Sequence, residues 1–298
     1  MGGTLTYREA LKIGASRLQA AKIADADSDA WILLEHVTEM SRARFFADGN
    51  LGMEPEEEKA YLELIDRRGE RIPVQHLTGV QEFMGYEFKV SRDVLIPRQD
   101  TEILVEESEK CIRREGSSAV KRSEREAKGQ RKVLDMCTGS GCIAVSLKKR
   151  NPKYSCTGAD ISEAALEIAR ENAKKLDAEV EFVLSDMFSE ISEEGYDLIV
   201  SNPPYIPTKV IASLEEEVKL YDPFGALDGR EDGLHFYRIL TKKSPRFLKS
   251  GGWLCMEIGH DQSKAVEELL KNAGFHEVYT KKDLAGLDRV VCGVYHRD

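Results

Sequence analysis

The spacing of apolar positions changes character twice along the chain. Over the first eighty residues they recur three and four apart: Leu11, Ala15 and Leu18, then Ala30, Leu33, Leu34 and Val37, then Tyr61, Leu62 and Ile65. That is the spacing of a helix with one buried stripe. Thr6 and Glu9 stand where a capping box would open the first helix, hydroxyl and carboxylate each satisfying a free N–H of the first turn. Pro55 suits the first position of the third, and Glu56, Glu57 and Glu58 follow it at the positive end of the helix dipole. No strand signal interrupts these patterns, so residues 1–80 are expected to form a small helical bundle.

Between about 80 and 97 the pattern shifts. In "FMGYEFKVSRDVLI" Gly85 sits at a turn with Phe83, Phe88 and Val90 around it, which predicts a β-hairpin linker over 81–98. From Val133 onward short apolar runs ("KVLDM", "SCTGAD", "VEFVLSD", "YDLIVSN", "GGWLCMEIG") alternate with helical stretches, among them 163–176 and 263–273. Alternation of this kind predicts an α/β domain over 99–298, a doubly wound, mostly parallel sheet covered by helices on both faces. "HEVYT" and "RVVCGVY" have no helix between them, so they are expected to pair antiparallel at one edge. The charged, apolar-poor stretch 113–131 reads as a solvated helix end and flexible loop, its basic residues interrupted by glutamates.

Composition narrows the partners. The chain has 298 residues, 41% hydrophobic and 32% charged, with a net charge of −10, an ordinary globular balance that argues against a protein living on exposed phosphate backbone. The six cysteines include no CxxC pair and are expected to be buried free thiols. His235 and His260 lack partners at ligand spacing, so no metal is expected. No apolar run approaches a membrane span and the first residues carry no signal-peptide core, which points to a cytoplasmic protein without membrane contact. Nothing in the pattern demands an oligomer, and a monomer is expected.

Candidate chemistry sits at three strand ends. In "VLDMCTGSGCIAVSL" a strand runs into a glycine turn and then a helix; Gly139, Gly141 and Ala144 fit G-x-G-x-x-A. Asp160 ends the next strand nineteen residues after Gly141, where an acid can bind ribose hydroxyls. Together they indicate an adenosine-containing cofactor, either a nicotinamide dinucleotide or S-adenosylmethionine. The third stretch is "YDLIVSNPPYIP". Two prolines fix the turn and remove N–H groups, leaving the Asn202 side-chain oxygen and the Pro203 carbonyl as acceptors, with Tyr205 flat beside them. Two acceptors suit a planar NH₂ group; a dehydrogenase would instead want an acid/base side chain.

The glycine-rich "VLDMCTGSG", strand-end Asp160 and "SNPPY" resemble class I S-adenosylmethionine-dependent methyltransferases acting on planar nitrogen. Residues 71–106 ("RIPVQHLTGVQEFMGYEFKVSRDVLIPRQDTEILVE"), "YDPFGALDGREDGLHFYRIL" and "SGGWLCMEIGHDQ" further resemble the release factor N5-glutamine methyltransferases, the PrmC/HemK family. The likeness spans nearly the whole chain, with Gln99 standing where the family often has a second proline and 113–131 longer than usual. It implies transfer of a methyl group from S-adenosylmethionine, leaving S-adenosylhomocysteine, to the glutamine of the Gly-Gly-Gln motif in class 1 peptide chain release factors. It implies cofactor contacts from Cys137, Thr138, Gly139, Ser140, Gly141, Asp160, Asp186, Met187 and Asn202. Asn202, Pro203, Pro204 and Tyr205 would hold the substrate, and Asn202, Pro203 and Tyr205 would carry the chemistry. Glu102 could line the cofactor mouth or simply be an exposed helix-start acid.

Two other functions compete. A nucleic-acid amino methyltransferase shares "NPPY", but residues 1–82 hold ten Lys/Arg against fifteen Asp/Glu, and a target-recognition domain should be basic. A release-factor-binding role fits the acidic bundle better, with no stable nucleic-acid contact. A non-catalytic adaptor is the other alternative, and the intact "NPPY" and Asp160 speak against it.

Overall fold

The computed structural model describes residues 4–114 and 130–297, so most of the charged loop expected at 113–131 lies outside the described residues. The chain divides into two compact units, Met1–Val80 with Glu215–Tyr221, and Gln81–Leu214 with Asp222–Asp298.

The first unit is helical: α1 (Tyr7–Ala20), α2 (Ala26–Thr38), α3 (Arg42–Asp48), α4 (Pro55–Gly69) and α5 (Val74–Thr78). The capping box at Thr6 and Glu9 is formed, and Pro55 occupies the first position of α4. Leu18, Leu33, Leu34, Tyr61 and Ile65 are fully buried, so the predicted stripes meet in one core. Gly14 permits the closest approach, since a Cβ there would lie 2.1 Å from Tyr61 Oη. The short helices α3 and α5 had no sequence signature. Nor did the return of Glu215–Tyr221 to this unit. Buried Arg68 draws it in, bonding Asp29 at 2.7 Å and Glu217 at 2.9 Å.

The hairpin β1 (Val80–Phe83) and β2 (Tyr86–Lys89) follows, all but its first residue in the second unit. Met84 and Gly85 both have positive φ, 54° and 76°, as a two-residue turn matched to strand twist requires. The strands stop at Lys89, short of the end of the expected 81–98 linker. Next come α6 (Gln99–Arg113), β3 (Arg131–Met136), α7 (Cys142–Arg150), β4 (Tyr154–Asp160), α8 (Glu163–Lys175), β5 (Val180–Leu184) and β6 (Tyr196–Ser201). The short helices α9 (Thr208–Ile211), α10 (Glu216–Tyr221, in the first unit) and α11 (Phe224–Leu227) follow. The chain closes with α12 (His235–Phe247), β7 (Leu248–Glu257), α13 (Ser263–Asn272), β8 (Phe275–Lys282) and β9 (Asp288–Tyr295).

The seven strands of the main sheet lie in the order β5-β4-β3-β6-β7-β9-β8. Every pairing is parallel except those made by β9, which runs antiparallel between β7 and β8. The expected α/β sheet with an antiparallel edge pair is therefore present, with β9 inserted inside the edge. Every residue of β6 is buried, as its unbroken apolar run requires for a central strand with both faces covered. Trp253 lies in this core as expected. So do five of the six free cysteines; Cys111, Cys255 and Cys292 converge with sulfurs within 4.8 Å of one another, a grouping no spacing revealed.

Candidate active site

Strand order reverses between β3 and β6. The first strand of the sheet continues to β4 on one side, and the chain returns to place β6 on the other. The crevice outside the carboxyl ends at such a point is where open α/β sheets bind ligands. The glycine turn leaves β3, and "NPPY" leaves β6 beside it, Met136 being paired with Ser201.

The glycine turn is held from two sides. Buried Asp135 accepts from Thr138 Oγ1 at 2.6 Å and from the Ala144 N–H at 3.1 Å. Burial raises its carboxyl to about 7, against those two bonds. Asp160 Oδ2 accepts from the Gly139 N–H at 2.9 Å, and Oδ1 from the Ser162 N–H at 3.0 Å. Burial raises the Asp160 carboxyl too, and backbone N–H donors pull it back. Gly139, Gly141 and Cys137 all have positive φ. Asn172, which the sequence reading passed over, bonds the Ser140 carbonyl at 2.9 Å and ties the turn to Lys89 of the hairpin through two further bonds.

The predicted cofactor residues thus come together, but their side chains do different work. Thr138 and Ser140 are buried, and the Thr138 hydroxyl is committed to Asp135. Met187, with φ 51°, turns its side chain into the core, 4.0 Å from Cys137 Sγ. Ser185, just before Asp186, fixes that turn by donating to the Met187 carbonyl at 2.7 Å. Apolar surface stays open at Ile161, 69% exposed directly after Asp160, a residue the motif reading missed. Glu102 accepts from the Met84 N–H at 2.5 Å, so it clamps the hairpin turn.

Across the crevice, Pro203 and Pro204 are buried while Asn202 and Tyr205 are half-buried. Ser201 donates to the Met136 carbonyl at 2.6 Å. Asn202 Nδ2 donates to Thr101 Oγ1 at 3.2 Å. Thr101 in turn donates to Glu257 Oε2 at 2.7 Å, and Tyr205 Oη donates to Glu257 Oε1 at 3.3 Å. Glu257, at the end of β7, is 2% exposed, and burial lifts its carboxyl to about 7. Gln262 Nε2 donates to the Tyr205 carbonyl at 2.9 Å. Beyond the tyrosine, Ile206 and Thr208 bond Leu227, Gly229 and Arg230 through the backbone. Gly229 and Gly233 pack so closely that a Cβ would lie 2.7 Å and 2.4 Å from Tyr205 backbone atoms. The stretches that hold Thr101, Gly229, Gly233, Glu257 and Gln262 carried the family resemblance, but the resemblance gave these residues no role. His235 and His260 are exposed.

A glycine turn with a strand-end acid, and an Asn-Pro-Pro-Tyr turn beside them at the switch point, define the protein as a methyltransferase of the doubly wound class. Two family models match it: the Methyltransferase small domain over residues 116–216 and the PrmC N-terminal domain over residues 9–79. Release factor glutamine methyltransferase of Geobacter sulfurreducens is 38% identical, covering 97% of this chain and 96% of its own. That of Caulobacter vibrioides is also 38% identical, covering 98% and 97%. Among solved structures, the hMettl16 catalytic domain in complex with the MAT2A 3'UTR hairpin 1 has a TM-score of 0.55 at 14% identity, covering 84% of this chain and 85% of that one; it shares the fold. The chain belongs to the release factor glutamine methyltransferase family. Among the described residues no helix is long and apolar enough to cross a membrane.

Proposed function

We propose that the protein transfers the methyl group of S-adenosylmethionine to the side-chain nitrogen of the glutamine in the Gly-Gly-Gln motif of class 1 release factors. The observation that carries this reading is the orientation of Asn202. One of its Nδ2 hydrogens goes to Thr101, which fixes the side chain so that Oδ1 faces away to accept, together with the Pro203 carbonyl.

An amide nitrogen is a poor nucleophile because its lone pair is delocalised into the carbonyl. Two fixed acceptors on its two hydrogens orient the nitrogen and favour the positive charge that develops there. This is positioning with preorganised electrostatics. When bound, the cofactor would supply an activated methyl on a sulfonium sulfur, which would leave as the neutral thioether S-adenosylhomocysteine and keep the bond's electron pair, and Asn202 and Pro203 would hold the amide nitrogen in line with it. The nitrogen's proton leaves to solvent afterwards, so no side-chain base is needed for transfer. Tyr205, anchored at its hydroxyl by Glu257, packs against the amide.

The residues present suit this cofactor. The Asp160 carboxylate stands at the strand end for a ribose diol, Ile161 offers an apolar face for a base, and Gly139 to Gly141 allow close backbone approach. The turn at Asp186 and Met187, fixed by Ser185, would meet the cofactor through its backbone and Asp186, since the Met187 side chain lies in the core. Release factors as substrates imply work in the cytoplasm.

The test is incubation with methyl-labelled cofactor and either a release factor or nucleic acid. Label on the glutamine of Gly-Gly-Gln is expected; label only on nucleic acid would overturn the reading. Asn202→Ala should slow single-turnover transfer by about 10²–10³-fold, the usual loss for one preorganised polar contact, while leaving cofactor affinity nearly unchanged.

A further inference from the structure

Asn202 can accept from a substrate amide in only one of its two side-chain orientations. Oxygen and NH₂ of an asparagine are nearly the same size, so rotation by half a turn meets little steric resistance. It would point two N–H donors at the N–H groups they are meant to receive. What stands behind the side chain must therefore decide the orientation.

The group behind is Thr101 Oγ1, 3.2 Å from Asn202 Nδ2. A hydroxyl has one proton to give and lone pairs to accept with, and Glu257 only accepts in its ionised form, which prevails above about pH 7. The Thr101 proton goes to Glu257 Oε2 at 2.7 Å, so toward Asn202 the hydroxyl can only accept. Asn202 must then face it with Nδ2. The other Glu257 oxygen takes the Tyr205 proton at 3.3 Å. One carboxylate thus anchors two of the three residues assigned to the substrate amide.

We propose that Thr101 and Glu257 are positioning residues for methyl transfer, setting the direction of a hydrogen-bond chain that ends in an outward-facing Asn202 Oδ1. The inference rests on the reading of Asn202 as acceptor of the substrate amide. Three features support it. Thr101 and Glu257 are both buried, and a buried carboxylate is costly unless its bonds are needed. Each of its oxygens bonds a residue that reaches the same turn. The two residues lie on α6 and β7, neither of which carries the glycine turn or Asp160, so their influence on the substrate amide is separable from cofactor binding.

The experiment compares Thr101→Val, which keeps the branched shape and removes the hydroxyl, with Thr101→Ser, which restores it. Single-turnover methyl transfer to a release factor is measured beside a cofactor titration. Thr101→Val should be slower by about 10–10²-fold, the scale of a small misplacement of a reacting group, with cofactor affinity within about twofold of wild type. Thr101→Ser should recover most of the rate. The double variant Thr101→Val/Asn202→Ala should be no slower than Asn202→Ala alone, because the threonine acts through the asparagine. If valine does not fold, Thr101→Ala removes the same hydroxyl without any clash. A wild-type rate for Thr101→Val beside a slow Asn202→Ala would overturn the inference and leave the proposed function standing. So would fully multiplicative losses in the double variant. A wild-type rate for Asn202→Ala would instead remove the reading on which it rests.

Discussion

Asp135 and Asp160 hold the glycine turn from opposite sides, one through the Thr138 hydroxyl and the Ala144 N–H, the other through the Gly139 N–H. Asp135 carries a pH dependence that can be worked out in sign. Burial raises its carboxyl from 3.8 to about 7 in the folded chain. Between those values the folded state keeps a proton that the unfolded state has lost, so this group's contribution to stability falls as pH rises through the window. At about 1.4 kcal/mol per unit the full span is on the order of 4 kcal/mol. Asp135→Asn abolishes the titration while its oxygen can still accept both bonds. Its NH₂ takes the place of Oδ1, which has no partner among the described residues. The variant therefore bears a pH-independent cost of about 1–3 kcal/mol, and the informative quantity is the slope. Urea midpoints from pH 4.5 to 7.5 should fall more steeply in wild type than in Asp135→Asn. Parallel slopes would show that Asp135 is already ionised across this range.

At the scale of elements, the sequence announced those that periodicity and caps specify. The Thr6–Glu9 box, Pro55 at the start of α4, the two-residue turn at Met84 and Gly85, and the alternation from β3 to α13 all follow from local rules. The three strand ends bearing chemistry were legible because glycine, proline and acid at such places are hard to explain otherwise. The supports were not. Thr101, Glu257, Asn172 and Gln262 reach the site from distant parts of the chain, 156 residues apart for the Thr101–Glu257 pair. A threonine at a helix start or a glutamate at a strand end carries no local mark of its partner. Gly233 shows the same limit. It reads as a turn glycine, yet its φ is +75° and a Cβ would lie 2.4 Å from the Tyr205 carbonyl oxygen and 2.7 Å from Gln262 Nε2. Gly233→Ala should therefore push the turn off the Gln262 clamp. Methyl transfer should slow by about 10²-fold, as for a displacement of about 1 Å, with cofactor affinity little changed. Gly225→Ala, where nothing lies within 4 Å, is the control. Equal rates for the two variants would mean that the turn tolerates the displacement.

At the scale of the whole molecule, the question is what the helical unit contributes. Its acidic balance over residues 1–82, fifteen carboxylates against ten bases, argues for a protein partner over a phosphate backbone. Deleting residues 1–80 would test this poorly. The unit includes Glu215–Tyr221, and Arg68 bonds both Asp29 and Glu217 within it. Truncation would strip Glu217 of its cation and leave the returning segment without its unit. Surface substitutions avoid that problem. Phe46 is 74% exposed and Leu51 59% exposed, both on this unit and outside its core, and large apolar side chains of this kind are available as anchors for a protein partner. Replacing both with serine should leave folding and the labelling of a short Gly-Gly-Gln peptide unchanged. KM for an intact release factor should rise about tenfold, the scale expected for truncating interface anchors. The comparison is the ratio of the two KM values in the variant and in wild type. If the ratio does not move, the exposed face of the helical unit is not where an intact factor is recognised, and discrimination between factor and peptide must arise within the methyltransferase unit itself.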